Sequence, residues 1–181
     1  MFPFEFTYKS QMNENFYTYM FLALFVMASI GFYATFDMHY RNGFHIFAMI
    51  GGILCALLIF ALFIVPFTRL RLHVILASAF FTLNFATSGS ILVSAWRMNQ
   101  EYSTSLTITC IVLGIIIVIA GFGSILNPRL TLNFKAIPKT NENGEVVYER
   151  PRWVVFAFTE WYQMILFIIN MINVTILTFA N

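Results

Sequence analysis

Residues 44–67 read FHIFAMIGGILCALLIFALFIVPF, a stretch without Asp, Glu, Lys or Arg. At about 1.5 Å per residue such a helix is longer than the roughly 30 Å of hydrocarbon in a bilayer. The apolar residues do not alternate, and the run is about twice the length of a barrel strand. Inside a bilayer no water is present to bond backbone N–H and C=O groups, so the stretch has to satisfy them as a helix. Working outward, four more stretches have the same character, at about 16–36, 72–96, 105–126 and 153–179.

Composition agrees with this reading. The 181-residue chain is 60% hydrophobic and only 10% charged, against about 25% charged in soluble domains. A soluble form would expose more apolar surface than one small core can hide, and disorder is excluded for the same reason. Ten basic and eight acidic residues leave a net charge of +2, without the clustered basic face that binds nucleic acid. The expected partners are lipids and other integral membrane subunits. Cys55 and Cys110 each lie in an apolar run and read as small packing residues.

Three short connections, 37–43, 68–71 and 97–104, make successive helices antiparallel neighbours. The first apolar run lacks a basic lead and a small-residue cleavage site, so it is read as a retained span. Ahead of it, residues 1–15 place Phe2, Phe4 and Phe6 at alternate positions, the pattern of an extension that hugs an interface or a partner. Residues 127–152 are the sizeable polar segment, punctuated by Pro128, Pro138 and Pro151. Leu130, Leu132 and Phe134 alternate with polar residues. Val146 and Tyr148 occupy alternate positions beyond the turn signal Asn141-Glu142-Asn143-Gly144. That pattern predicts a small β-hairpin at the membrane surface. The expected fold is an all-α integral membrane protein, a five-helix transmembrane bundle with a β-hairpin-like loop between helices four and five.

Basic residues near helix ends stay on the cytoplasmic or matrix side. Lys9, Arg69, Arg71, Arg129, Lys135, Lys139, Arg150 and Arg152 fall on one side, and only Arg41 and Arg97 on the other. The amino terminus is therefore expected inside and the carboxy terminus opposite.

Polar and small residues inside the spans are the candidates for function. The third helix carries Ser78, Thr82, Ala86, Ser90 and Ser94 at four-residue spacing, with Asn84 and Ser88 on an adjacent face. Such a stripe suits close helix packing, where lipid supplies no hydrophobic drive; the competing reading is a polar pathway. Gly51 and Gly52 on the second helix and Gly114 on the fourth are further packing candidates. Glu160 is the one charged residue well inside a predicted span, and Gln163, Asn170 and Thr178 share its side of the fifth helix. A carboxylate in hydrocarbon costs about 2.5 kcal/mol or more unless paired or protonated, and so marks a functional site by default. Its competing reading is interfacial, with Trp153, Trp161 and Tyr162 as an aromatic belt. Arg69, Arg71 and His73 belong to the same end and can reach it; a His73 to Glu160 contact would hold the imidazole in place.

No nucleophile elbow, phosphate loop or His-Glu-x-x-His motif occurs, and Asp37 with His39 is too small a donor set for a metal. No catalytic residue, cofactor or metal is expected.

Two places resemble the damage-regulated autophagy modulator (DRAM-like) membrane family. One is the sweep from Ile50-Gly51-Gly52-Ile53-Leu54 through Phe67 to Leu72-His73-Val74; the other is Thr159-Glu160-Trp161 opening the last helix. In that family a histidine opens one helix and a Glu-Trp pair opens the final one, so His73, Glu160 and Trp161 are the matching positions. The resemblance covers about 45 residues around helices two and three plus the start of helix five. It implies a lipid-handling or trafficking role. The family has six spans, whereas this chain has five and an insert before the last.

Three function classes follow. The first is a non-catalytic subunit packing into a larger integral membrane complex. The second is a transporter or channel component with a polar path through Glu160, Gln163 and Asn170. The third is the lipid-handling role implied by the resemblance.

Overall fold

The computed structural model describes residues 12–34, 42–65, 70–126, 137–140, 146–149 and 155–180. Five helices account for most of them: α1 (Met12–Ala34), α2 (Gly43–Ile64), α3 (Leu70–Glu101), α4 (Ser105–Ile125) and α5 (Val155–Phe179). Four of these, α2 to α5, are long and apolar enough to cross a membrane. In α1 the corresponding apolar stretch, Tyr19–Ala34, is shorter than that among the described residues. α3 is the longest at 32 residues and continues beyond the expected end at 96. The extension at 1–11, the first connection with Asp37 and His39, and Arg69 lie outside the described residues.

Helix ends follow local chemistry. Asn42 caps α2, its side-chain oxygen accepting from the His45 N–H at 2.9 Å. At the start of α4 the Thr104 hydroxyl accepts from the Thr107 N–H at 3.2 Å. The Thr104 N–H in turn donates to Thr107 Oγ1 at 3.0 Å, a reciprocal cap that satisfies two otherwise orphaned donors. The Thr107 hydroxyl also meets Asn99 Oδ1 of α3 at 2.8 Å, which ties the short α3–α4 connection down.

Neighbouring helices pack as α1–α2–α3–α4–α5, with α5 also against α3 and α1. α3 therefore stands between α2 and α4. α2 and α3 run antiparallel: Arg97 sits over the Phe44 ring, and Gly51 lies against Thr87 a few turns away. α4 and α5 are antiparallel too, Ser124 meeting Gln163 and Cys110 meeting Asn173.

The buried faces share one period. On α3 it runs His73, Ala77, Phe80, Asn84, Thr87, Ile91, Ser94 and Met98; on α2 it runs His45, Ala48, Gly52, Cys55, Ile59 and Leu62. On α4 it is Thr107, Cys110, Gly114, Ile117 and Gly121. Steps of three and four alternate, averaging about 3.5 residues, which is the repeat of left-handed helix packing. Large apolar side chains such as Phe21, Met27, Ile75, Ile119 and Phe158 are exposed on the outside.

The four-residue row on α3 departs from that period. Each four-residue step overshoots a full turn by about 40°, so four steps carry the row roughly 160° around the helix. Ser90 and Ser94 are buried and Ala86 is half-buried, but Ser78 and Thr82 are exposed. The Thr82 hydroxyl is turned onto the Ser78 carbonyl of its own helix at 2.9 Å. Replacing Ser78 or Thr82 with Leu is therefore expected to change stability by no more than about 0.5 kcal/mol, measured by thermal unfolding in detergent; the same change at Ser94 should be clearly destabilising.

The glycines do pack within the chain. A Cβ on Gly51 would overlap the Thr87 side chain, one on Gly52 would overlap the Tyr33 ring, and one on Gly114 would press on Leu92 at 3.1 Å.

Between α4 and α5, two four-residue strands, β1 (Ile137–Thr140) and β2 (Val146–Glu149), pair antiparallel, Ile137 opposite Glu149 and Thr140 opposite Val146. Val146 and Tyr148 thus fall in β2. Their partners lie in β1, Tyr148 opposite Pro138 and Val146 opposite Thr140. Residues 130–134 and the turn at Asn141–Gly144 lie outside the described residues.

Candidate functional site: a buried polar seam

α5 turns Glu160, Gln163, Asn170 and Asn173 towards the bundle interior, and α3 answers with His73, Asn84 and Ser88; none is more than 3% exposed. The spacing explains the convergence. These residues occupy the same three-and-four seam that buries Phe80, Phe167 and Leu177, so polar and apolar positions interleave along one line.

At one end, His73 Nε2 lies 3.0 Å from Glu160 Oε1. His73 is in the first turn of α3 and Glu160 in the second turn of α5, so the pair is near the bundle's end yet fully enclosed. Arg71 is exposed, and among the described residues His73 is the basic residue within ion-pair distance of the acid. Trp161 is exposed beside it, and Tyr162 stacks on Phe158 with centroids 6.3 Å apart.

Deeper in, one network joins three helices. Asn84 Nδ2 donates to the Gln163 backbone carbonyl at 3.2 Å and to its Oε1 at 3.0 Å. Gln163 Nε2 donates to Ser124 Oγ on α4 at 2.5 Å, and that hydroxyl donates to the Gly121 carbonyl. Asn170 Nδ2 donates to Ser88 Oγ at 2.5 Å and approaches Asn84 Oδ1 at 3.5 Å, while Ser88 bonds back to the Asn84 carbonyl at 2.7 Å. One turn further, Asn173 Nδ2 donates to the Cys110 carbonyl at 3.3 Å, and the Cys110 thiol faces the Asn173 carbonyl at 3.7 Å.

Each side chain bonds another helix instead of lipid, which is what buried polar groups in a bilayer require. The aromatic layer beside the network is Tyr33 against Phe167, centroids 5.8 Å apart, with Phe80 edge-on to Phe167 at 6.2 Å.

Of the candidates read from sequence, Glu160, Gln163, Asn170 and His73 all lie in this seam. Asn173 and Ser124 are additions. Asn173 was legible as the next step after Asn170 on the same seam, whereas Thr178, which had been grouped with Glu160, is only half-buried and bonds its own helix at Val174. Ser124 gave no signal, since its role depends on how far α4 extends beside α5.

A crevice of about 300 Å³ opens between α4 and α5 beside the Gln163–Ser124 bond, bounded by Gly123, Ser124, Phe158, Thr159 and Tyr162. No family model matches the chain, and neither a curated protein nor a solved structure matches it.

Proposed function

We propose that the chain is a non-catalytic multi-pass membrane subunit that packs into a larger integral membrane complex, with lipids and other membrane-embedded subunits as its partners. The observation that carries this reading is the partition of side chains: polar groups are spent on one another across α3, α4 and α5, while the outer surface is a belt of Phe, Ile and Leu. Among the described residues, a surface of that kind offers contact area to other membrane-embedded chains. In this reading α1 makes a fifth crossing. The basic residues keep the amino terminus on the cytoplasmic or matrix side with the carboxy terminus opposite, and the paired strands lie at the basic face.

One observation favours a second reading, a transporter or channel component. The polar groups of α5 follow one line from Glu160 to Asn173, and the α4–α5 crevice opens at Ser124 partway along it. The DRAM-like resemblance rests on His73, Glu160 and Trp161, two of which form the enclosed pair; the lipid-handling role it implies is a third proposal.

The readings separate in liposomes. If the chain is a packing subunit, the reconstituted protein conducts neither protons nor small ions, and purification in mild detergent brings stoichiometric membrane partners with it. If it is a transporter, flux is present and Glu160→Gln abolishes it while the helical content stays unchanged. Flux sensitive to that substitution overturns the subunit reading. Purification without protein partners but with bound lipid at the His73 and Glu160 end favours the third.

A further inference from the structure

Away from the polar seam, α2 and α3 enclose an open groove of about 470 Å³ lined by Gly43, Phe44, Phe47, Ala86, Ser90 and Arg97. Its walls are aromatic and aliphatic, and Arg97 stands at its mouth. Arg97 is exposed, and its guanidinium lies over the Phe44 ring, 5.0 Å from the centroid. Among the described residues no carboxylate lies within ion-pair distance of it. A guanidinium resting on an aromatic ring keeps its N–H donors for other partners, and their fork matches two oxygens of a phosphate.

From these features we infer that the groove binds a membrane phospholipid with an anionic headgroup. The phosphate sits against Arg97, and an acyl chain runs along Phe47, Ala86 and Ser90. The occupant follows from charge and shape together: a cation with no carboxylate partner among the described residues calls for an anion, and an apolar floor leading away from it calls for a hydrocarbon tail on the same molecule. The groove faces outward, where a chain embedded in a bilayer meets lipid, so the inference rests on the membrane reading but not on the subunit role. It uses none of the seam's residues. Ala86 is half-buried and leaves the floor open; the Ser90 hydroxyl is turned onto the Ala86 carbonyl at 3.0 Å, so the floor presents little that competes with a hydrocarbon chain.

The test uses the full chain in nanodiscs of phosphatidylcholine doped with phosphatidylglycerol, followed by mild detergent extraction and native mass spectrometry of the retained lipid. Phosphatidylglycerol should be retained in excess of its share in the disc. Arg97→Gln should lower that excess about tenfold, the factor that one charge-assisted hydrogen bond supplies. Ala86→Phe, which keeps the cation and fills the floor, should lower it as well. Arg71→Gln, at the opposite end of α3, should leave it unchanged, and excess soluble glycerol phosphate should not displace the lipid. Four results each overturn the proposal: retention in proportion to disc composition; equal loss in Arg97→Gln and Arg71→Gln; displacement by glycerol phosphate alone; or disulfide capture of a second copy through Ser90→Cys in native membranes.

Discussion

Replacing His73 with alanine is expected to lower the stability of the detergent-solubilised protein by about 1–3 kcal/mol, the cost of removing one partner of a buried polar contact. The imidazole faces Glu160 Oε1 at 3.0 Å, and the two side chains are 1% and 0% exposed. Taking the ring away leaves the carboxylate without that contact and opens a void beside it. Thermal unfolding followed by circular dichroism measures the loss. The double variant His73→Leu with Glu160→Met should recover most of it, because an apolar pair of similar volume carries no desolvation cost. If the double variant is as unstable as either single change, the pair is not an energetic unit.

The second large effect is expected at Gly52. A Cβ there would overlap the ring of Tyr33, which is itself fully buried and stacked on Phe167. The obstacle is a rigid ring wedged among three helices, so it cannot swing aside as the tip of a flexible chain would. Gly52→Ala should therefore cost about 1–3 kcal/mol, the range for overfilling a tight core, and Gly52→Leu should detach α1 from α2. Tyr33→Leu combined with Gly52→Ala should restore packing, and a cysteine cross-link between α1 and α2 reports the detachment directly. Gly31 and Gly43, where an added Cβ meets nothing within 4 Å, serve as neutral controls.

Much of the helical architecture was legible because apolar length is a one-dimensional signal. Residues 44–67 announce α2 without reference to any other part of the chain. The polar residues of α5 were equally visible, since Glu160, Gln163 and Asn170 stand out against an apolar background and their angular spacing is fixed by the helix. Helix rotation was harder to read. Ser78, Thr82, Ala86, Ser90 and Ser94 line up in sequence, but a four-residue row drifts around the cylinder, and the actual seam takes His73, Phe80, Asn84 and Thr87. A mixed seam of polar and apolar residues hides from any search for one class of side chain. Pairings between distant segments, such as Ser124 with Gln163 or Cys110 with Asn173, depend on how far one helix slides along another. No local pattern encodes that offset.

The tie between Thr107 and Asn99 at the α3–α4 connection bears on how the chain is made. α5 emerges from the ribosome after α3 and α4 and carries Glu160, Gln163, Asn170 and Asn173, a costly cargo to release alone into hydrocarbon. With α3 and α4 already stitched into a hairpin, their Asn84, Ser88 and Ser124 side chains and the Cys110 carbonyl stand ready as a docking cradle, so the late helix passes from the insertion machinery to its partners without an unpaired interval in lipid. The order of synthesis and the placement of polar residues are thus matched: the segment least able to live alone is the one that arrives after its hosts.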